Sequence, residues 1–214
     1  VIRGNIELAQ MSSNALDYSD RLQDAIKAAD RADALTSQLL ALSRKARLEA
    51  TTVDLPLFWN GFRSIIPRIT SASIRVDVDV HPDAATLYCD ANQLEVALIN
   101  LIVNARDAID GPGKISITCR PATKTDLAMF GLSVDRPYCM IEIRDSGSGI
   151  PAGNLSKVVE PFFTTKAVGQ GTGLGLPMVK GFCEQSNGSL VIESDPTGTT
   201  VRLALPATDS RHIT

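Results

Sequence analysis

The period of the hydrophobic residues changes near residue 50, and that change commits the chain to two unlike parts. From Asp20 to about Leu48, Leu22, Ile26, Ala29, Ala32, Leu35, Leu39 and Leu42 recur at three- and four-residue steps, the stripe of a long amphipathic helix. Ahead of it Ile2, Ile6 and Ala9 mark a second helix, which ends near Ser12-Ser13-Asn14, where small polar residues cluster. The pair reads as an antiparallel helical hairpin over residues 1–50. Two helices cannot cover an apolar stripe of this length. Its simplest burial is against the same hairpin of a second chain, so a homodimeric four-helix bundle is expected, the alternative being a helix packed on its own domain.

Beyond Ala50-Thr51-Thr52 the pattern shortens. Ile74, Val76, Val78 and Val80 alternate with Arg75, Asp77 and Asp79, the period of a half-buried strand. Residues 86–89, 114–120, 138–145, 189–193 and 199–205 also read as strands, while Asn92 to Ile109 and about Leu174 to Ser186 read as helices. Asp54 is placed to cap a short helix whose apolar face is Leu57, Phe58, Phe62 and Ile65-Ile66, ending at Pro67. Strands and helices mix without a regular β-α-β repeat. The expected fold is therefore α+β: a two-layer α/β sandwich over residues 51–207, preceded by the helical hairpin and followed by a polar tail over 208–214. With 214 residues, 44% of them hydrophobic, the chain can bury one full core and a smaller accessory element.

Charge and cysteine usage narrow the partners. The net charge is -3 and the 21 basic residues are scattered, so the positive footprint that nucleic acid requires is missing. No apolar run approaches the roughly 20 residues of a membrane-spanning helix, and Val1-Ile2-Arg3-Gly4 lacks the layout of a signal peptide. Membrane contact is expected only through segments outside this chain. Cys89, Cys119, Cys139 and Cys183 show no C-x-x-C spacing and sit among apolar neighbours, the pattern of buried free thiols in a reducing, cytoplasmic compartment. The chain opens without Met and in mid-helix pattern, as a piece of a longer protein does.

Three clusters carry chemistry. Asn100 and Asn104 stand four apart on one face of a helix otherwise rich in Leu, Ile, Val and Ala, and Asp107 follows three later on that face. An amide in such a stripe is costly unless satisfied, and its carbonyl oxygen suits Mg²⁺ or a Mg²⁺-bound water; bonds to neighbouring backbone are the alternative. Asp145-Ser146-Gly147-Ser148-Gly149-Ile150 ends an apolar strand. There a carboxylate can accept a hydrogen bond from an exocyclic amine such as that of adenine, although a plain turn has the same signature. Gly169, Gly171, Gly173 and Gly175 run directly into a helix, where unpaired N–H groups and the positive end of the dipole suit a polyphosphate. The dinucleotide reading fits poorly, because no strand of a β-α-β unit precedes them. Between the last two clusters lies Glu160-Pro161-Phe162-Phe163-Thr164-Thr165-Lys166. It reads as a mobile lid whose aromatic pair packs in the core and whose Lys166 meets phosphate, the alternative being a plain loop anchored by two core aromatics.

Together and in this order these segments resemble the ATP-binding domain of sensor histidine kinases, a branch of the superfamily that includes the gyrase, Hsp90 and MutL ATPases. Asn100-Leu101-Ile102-Val103-Asn104-Ala105 is similar to the family's N box, Asp145 to Gly149 to its first glycine box, Phe162 to Lys166 to its F box, and Gly171 to Gly175 to its second glycine box. Gly198-Thr199-Thr200 resembles a small glycine-threonine motif on the last strand. The resemblance covers about Asp54 to Pro206, and the hairpin before it is similar to the second helix and the end of the first helix of the dimerisation and histidine-phosphotransfer domain. It implies Mg²⁺ at Asn104 with help from Asn100, adenine at Asp145, and phosphates on the Gly171 to Gly175 backbone with a contact from Lys166. Further ATP contacts are implied at Asp107, Gly147, Gly149, Phe163, Thr165, Thr172, Gly173, Leu174 and Thr199, with Asn100 and Lys166 as the catalytic pair.

The activity so implied moves the γ-phosphoryl group of ATP to a histidine and then to an aspartate of a response-regulator receiver domain. The wording of Asn104-Ala105-Arg106-Asp107-Ala108 and of Gly181 to Gly188 is most similar to kinases fused to a receiver, which would lie beyond Thr214. In hydrolytic relatives a glutamate one turn before the metal-binding Asn activates water. Here that position is Asn100, and an amide cannot act as a general base, which favours transfer over hydrolysis. The acceptor histidine is expected before Val1, since His81 precedes Pro82 at a strand end and His212 sits in the tail. The chain is thus expected to bind Mg-ATP without phosphorylating itself. Two rival readings are an ATP hydrolase of the same superfamily and a degenerate docking or phosphotransfer module that has lost nucleotide binding.

Overall fold

A computed structural model describes residues 49–84, 86–166 and 171–208. These belong to the unit that begins at Arg47. Nearly all of the expected hairpin lies outside the described residues, as do the tail from Asp209 and, within the glycine segment, Gly169 and Gln170.

Thr51–Asp54 (β1) runs directly into Leu55–Phe62 (α1), and Asp54 caps that helix as its sequence suggests, Oδ1 accepting from the Leu57 N–H at 2.8 Å. The single helix expected as far as Pro67 is instead two. After Phe62 the backbone tightens to three-residue bonds, Ser64 N–H to Gly61 O and Ile65 N–H to Phe62 O, before Ile66–Ile69 (α2) begins with Pro67 in its first turn.

The remaining elements are Ile74–Val80 (β2), Thr86–Cys89 (β3), Ala91–Ala108 (α3), Gly113–Pro121 (β4), Lys124–Phe130 (α4), Tyr138–Asp145 (β5), Gly175–Gln185 (α5), Ser189–Asp195 (β6) and Gly198–Pro206 (β7). The main sheet has the order β2-β4-β5-β7-β6, with β2 parallel to β4 and every other pair antiparallel, while β1 and β3 form a separate antiparallel pair. Register places Ile117 opposite Ile143 and Ile143 opposite Val201, so one face of the sheet is continuously apolar. Against it pack Leu94, Leu98, Leu101, Ile102 and Ala105 of α3 and Val179, Phe182 and Cys183 of α5, with Trp59 and Phe62 of α1 in the same core. The two-layer α+β sandwich is the observed fold.

The other face is polar at its centre, where Arg202 lies between Glu142 and Glu193, 2.6 Å from each. Toward one end α4 covers it, burying Leu127 and Phe130 with Tyr138, Met140 and Ala204. This helix escaped the periodicity reading because seven residues show barely two turns, yet its ends are written in the sequence. Thr123 and Asp126 form a reciprocal capping box, and Gly131 closes the helix in the left-handed region at φ 65°. Arg120 adds a bidentate pair with Asp126 at 2.6 and 2.9 Å, and that guanidinium holds the Asp126 carboxyl well below the usual carboxylate range.

All four cysteines are buried and free, on β3, β4, β5 and α5, as the sequence leads one to expect. Burial pushes the thiols of Cys89, Cys139 and Cys183 up to about 12, and that of Cys119 higher still. The native protein is therefore expected to resist a neutral-pH thiol reagent and to titrate all four groups only in denaturant. Rapid native labelling of any one would contradict the packing.

Candidate functional site

The apolar face of α3 fixes the register of the helix, and the register fixes where its polar residues point. Asp90 caps α3 through bonds from the Asn92 and Gln93 N–H groups, and Leu94, Leu98, Leu101 and Ala105 enter the core. Asn100 and Asn104 then face the start of α5. A Cβ on Gly175 would sit 3.3 Å from Asn100 Oδ1 and 3.4 Å from Asn104 Nδ2, so the two amides close around the place where a side chain would begin. Asn100 donates Nδ2 to Val96 O at 3.0 Å, a local bond that leaves its Oδ1 turned toward Gly175. One amide thus realises the backbone-bonded alternative and still offers its oxygen to the site.

The start of α5 carries no side-chain cap at Leu174, whose own N–H is taken by Thr172 Oγ1 at 3.3 Å. The first-turn N–H groups beyond it, those of Gly175 and Leu176, keep their capacity to receive an anion. Leu174 itself is fully buried, so its side chain is a core anchor, and only its backbone belongs to the surface of the site. Gly173 has φ 64°, and a Cβ there would come within 2.4 Å of the Phe162 backbone. That close approach carries a hydrogen bond from Phe162 N–H to Gly173 O at 2.9 Å.

The same contact overturns the expectation of a core-packed aromatic pair. Phe162 is held at φ 68°, which turns its ring outward to 64% exposure, and only Phe163 is partly buried. Thr164 Oγ1 accepts from the Lys166 N–H at 3.2 Å, while Thr165 is exposed. Lys166 directs its ammonium to Asp107 Oδ2 at 2.6 Å and Asn104 Oδ1 at 3.4 Å. Asp107 is also gripped by Arg106, so both of its oxygens are engaged.

Asp145 closes β5 at 6% exposure. Its Oδ1 accepts from Gly147 N–H at 2.8 Å and Thr199 N–H at 3.2 Å, and among the described residues no donor reaches Oδ2. Burial pushes its carboxyl above the usual aspartate range, with those two N–H groups pulling the other way. Gly147 packs directly on the last turn of α3, where a Cβ would lie 2.6 Å from Ala108 O, and Gly149 packs on the end of β6. Sequence reasoning missed Ser194, which joins these loops: its Oγ accepts from Ile150 N–H at 2.7 Å and lies 2.9 Å from Thr199 Oγ1. Nothing local marks it, since its partner is 44 residues away. Arg106 was also missed, although its place beside Asp107 was a usable signal.

The residues present fit a nucleotide polyphosphate and its cation. A buried carboxylate with one unengaged oxygen, the Asn100 Oδ1 beside Gly175, the neighbouring Asn104 amide, whose Oδ1 meets Lys166, and an uncapped helix start lie around the α3/α5 layer. Among the described residues no group of three or more His, Cys, Asp or Glu side chains could hold a metal, so a cation here would rest on amide oxygens and on the phosphates themselves.

This α+β sandwich, with Asn residues on one helix facing a glycine-rich entry to another, defines a class of ATPase-like domain. Residues 89–209 match the family described as histidine kinase-, DNA gyrase B-, and HSP90-like ATPase, and the chain belongs to that family. It is 40% identical over 182 residues to the sensor kinase CckA of Brucella abortus, covering 83% of this chain and 19% of that protein. It is 33% identical over 187 residues to the sensor histidine kinase ZraS of Escherichia coli, covering 86% of this chain and 37% of that one. The chain thus spans well under half the length of these relatives. Among solved structures, the histidine kinase ThkA in complex with the response regulator protein TrrA superposes with a TM-score of 0.66 at 19% identity, covering 99% of this chain and 60% of that one, a likeness of fold. Among the described residues no helix is long and apolar enough to cross a membrane.

Proposed function

We propose that this chain is the ATP-binding catalytic core of a two-component sensor histidine kinase. It would act as a homodimer on the cytoplasmic side, passing the γ-phosphoryl group of ATP to a histidine and from there to an aspartate of a response regulator. The observation that carries the reading is the buried Asp145 carboxylate, held by two backbone N–H groups on Oδ1 with Oδ2 left for a ligand donor. Asp145 Oδ2 accepts the adenine amine, Gly147 and Gly149 bring the backbone close to the base, and Thr199 positions the carboxylate. The N–H groups at the start of α5 receive phosphate, with Gly171 to Gly175 forming the approach. Asn104 and Asn100 would hold, through their amide oxygens, a Mg²⁺ that would neutralise charge developing on the phosphates. Lys166 is the cation that meets the transferred group, and Phe163 and Thr165 shape the segment that carries it.

Asn100 separates transfer from hydrolysis. Its nitrogen is committed to Val96 O, and an amide oxygen is too weak a base to take a proton from water. Among the described residues the one histidine offers no built acceptor: His81 is exposed in the turn after β2, accepting from the Asp83 N–H at 3.1 Å, while His212 lies outside them. The ThkA complex with a response regulator supports a receiver domain as the kind of partner that takes the phosphoryl group.

Calorimetric titration with ATP, with and without Mg²⁺, tests the site. Wild type should bind, and Asn104→Ala should lose most of the Mg²⁺-dependent gain while keeping metal-free binding; equal loss in both conditions would remove the metal role. A second test uses pH. Because burial raises the carboxyl of Asp145, the folded state favours its protonated form, so acidification should stabilise this group's fold contribution while weakening its acceptance of adenine. Wild-type ATP affinity should therefore start to fall, on acidification, at a higher pH than an ordinary aspartate would set. Asp145→Asn, carrying no titrating group there, provides the baseline that removes the titration of ATP itself.

A further inference from the structure

Asp107 is fully engaged before any ligand arrives. Its Oδ1 accepts from Arg106 Nε at 2.8 Å and Nη2 at 2.5 Å, and its Oδ2 accepts from Lys166 Nζ at 2.6 Å. Arg106 spends its remaining reach on Ile69 O, 2.8 Å from Nη1, which ties the arrangement to the end of α2. Asp107 is therefore fixed in place from behind. In front of it Lys166 spans to Asn104 Oδ1 at 3.4 Å, the oxygen assigned above to Mg²⁺.

We propose that Asp107 is a latch rather than a nucleotide contact: with Arg106 as its anchor it parks Lys166 across Asn104, and a Mg-nucleotide must displace that ammonium to use the site. This rests on the nucleotide reading. An ammonium and a divalent cation cannot share one carbonyl oxygen at close range, because each repels the other and Mg²⁺ demands its ligands at about 2.1 Å. Lys166 cannot serve phosphate while it bridges Asp107 and Asn104. Binding is thus an exchange of one anionic partner for another, and the part of the Lys166 to Asp107 attraction that is surrendered is subtracted from affinity. The pair is sheltered enough to count, with the Lys166 and Asp107 side chains 31% and 25% exposed. Burial alone would push the Asp107 carboxyl up, but the Lys166 and Arg106 hydrogen bonds outweigh it and hold the group below the usual aspartate range, so the latch stays charged at neutral pH. Arg106 keeps Asp107 from following Lys166 outward, which makes the exchange a clean break.

The test is a double-mutant cycle on Mg-ATP affinity, read by calorimetry on wild type, Asp107→Asn, Lys166→Met and the double variant, with Asp107→Ser as a second release variant and circular dichroism to confirm folding. Release of the latch should tighten Mg-ATP binding about three- to tenfold in both Asp107 variants, the scale of a partly screened ion pair. Lys166→Met should weaken binding, and in its background Asp107→Asn should change nothing, because no ammonium remains to be freed. A gain that persists without Lys166 would be a general charge effect and would overturn the latch. Weaker binding in Asp107→Asn and Asp107→Ser would make Asp107 a ligand and overturn it equally. Binding that is the same in wild type and the Asp107 variants removes the latch and leaves the nucleotide site standing, whereas no binding in any of the proteins removes both.

Discussion

Asp145→Asn is expected to lower ATP affinity by about 100-fold, close to 3 kcal/mol, with no loss of thermal stability. The substitution keeps the shape and keeps one acceptor. Oδ1 of the asparagine can still take the Gly147 and Thr199 N–H groups, at 2.8 and 3.2 Å in the native loop, so the turn after β5 has no reason to rearrange. What changes is the second atom, which becomes an NH₂ group. It would face the exocyclic amine of adenine donor to donor, at a position only 6% exposed where water cannot easily mediate. Both donors are then left unsatisfied, the most costly outcome for a buried polar contact. Removing a charge whose burial is unfavourable should meanwhile leave the unfolding temperature level or slightly raised, since the raised carboxyl reports that cost. Titration of the variant with ATP and a parallel thermal melt decide the matter. Unchanged ATP affinity would mean that Asp145 is a structural loop residue and that adenine is read elsewhere.

Where elements are long and periodic, the sequence was sufficient to place them. The eighteen-residue α3 repeats its apolar face for five turns, so the observed Ala91–Ala108 lies one residue from the expected span, and the side chains at 100, 104 and 107 fall on one face as the spacing requires. Elements fixed by their ends were legible only as local chemistry: α4 is defined by Thr123, Asp126 and Gly131, which a search for apolar stripes passes over. Contacts between segments remote in sequence left no trace at all. Ser194 reaches Ile150 across 44 residues, and nothing near either one announces the pairing. The outward turn of Phe162 belongs to the same group, because it follows from the approach of the Gly173 backbone, whereas composition alone assigns an aromatic residue to the core. Asn100, Asn104, Asp145 and the glycines stood out as candidates because their residue types are improbable for packing alone; Arg106 resembled an ordinary solvated arginine until its bond to Ile69 O was seen.

Gly149→Ala is the substitution that should damage fold and site together. Gly149 has φ 71°, a region an alanine enters at a cost of about 1 kcal/mol, and its Cβ would stand 1.9 Å from Asp195 O and 3.1 Å from Ser194 Oγ. The first contact is with backbone at the end of β6, so no rotamer change relieves it, and the loop or the strand end has to move. Movement there is transmitted. Ser194 Oγ holds the Ile150 N–H and lies 2.9 Å from Thr199 Oγ1, and the Thr199 N–H holds Asp145 Oδ1, so displacement of the β6 end pulls on the carboxylate two bonds away. A destabilisation of about 3 kcal/mol or more is expected, which for a domain of this size lowers the unfolding temperature by roughly 10 °C. ATP affinity should fall with it even at temperatures where the variant is fully folded, because the acceptor is displaced rather than removed. Gly153→Ala provides the control: a Cβ there meets nothing within 4 Å, and its melt and its titration should both match wild type. If Gly149→Ala melts with wild type, the close packing of this loop on β6 is not what holds Asp145 in place; if it melts early but binds ATP normally below its transition, the loop stabilises the fold without positioning the carboxylate.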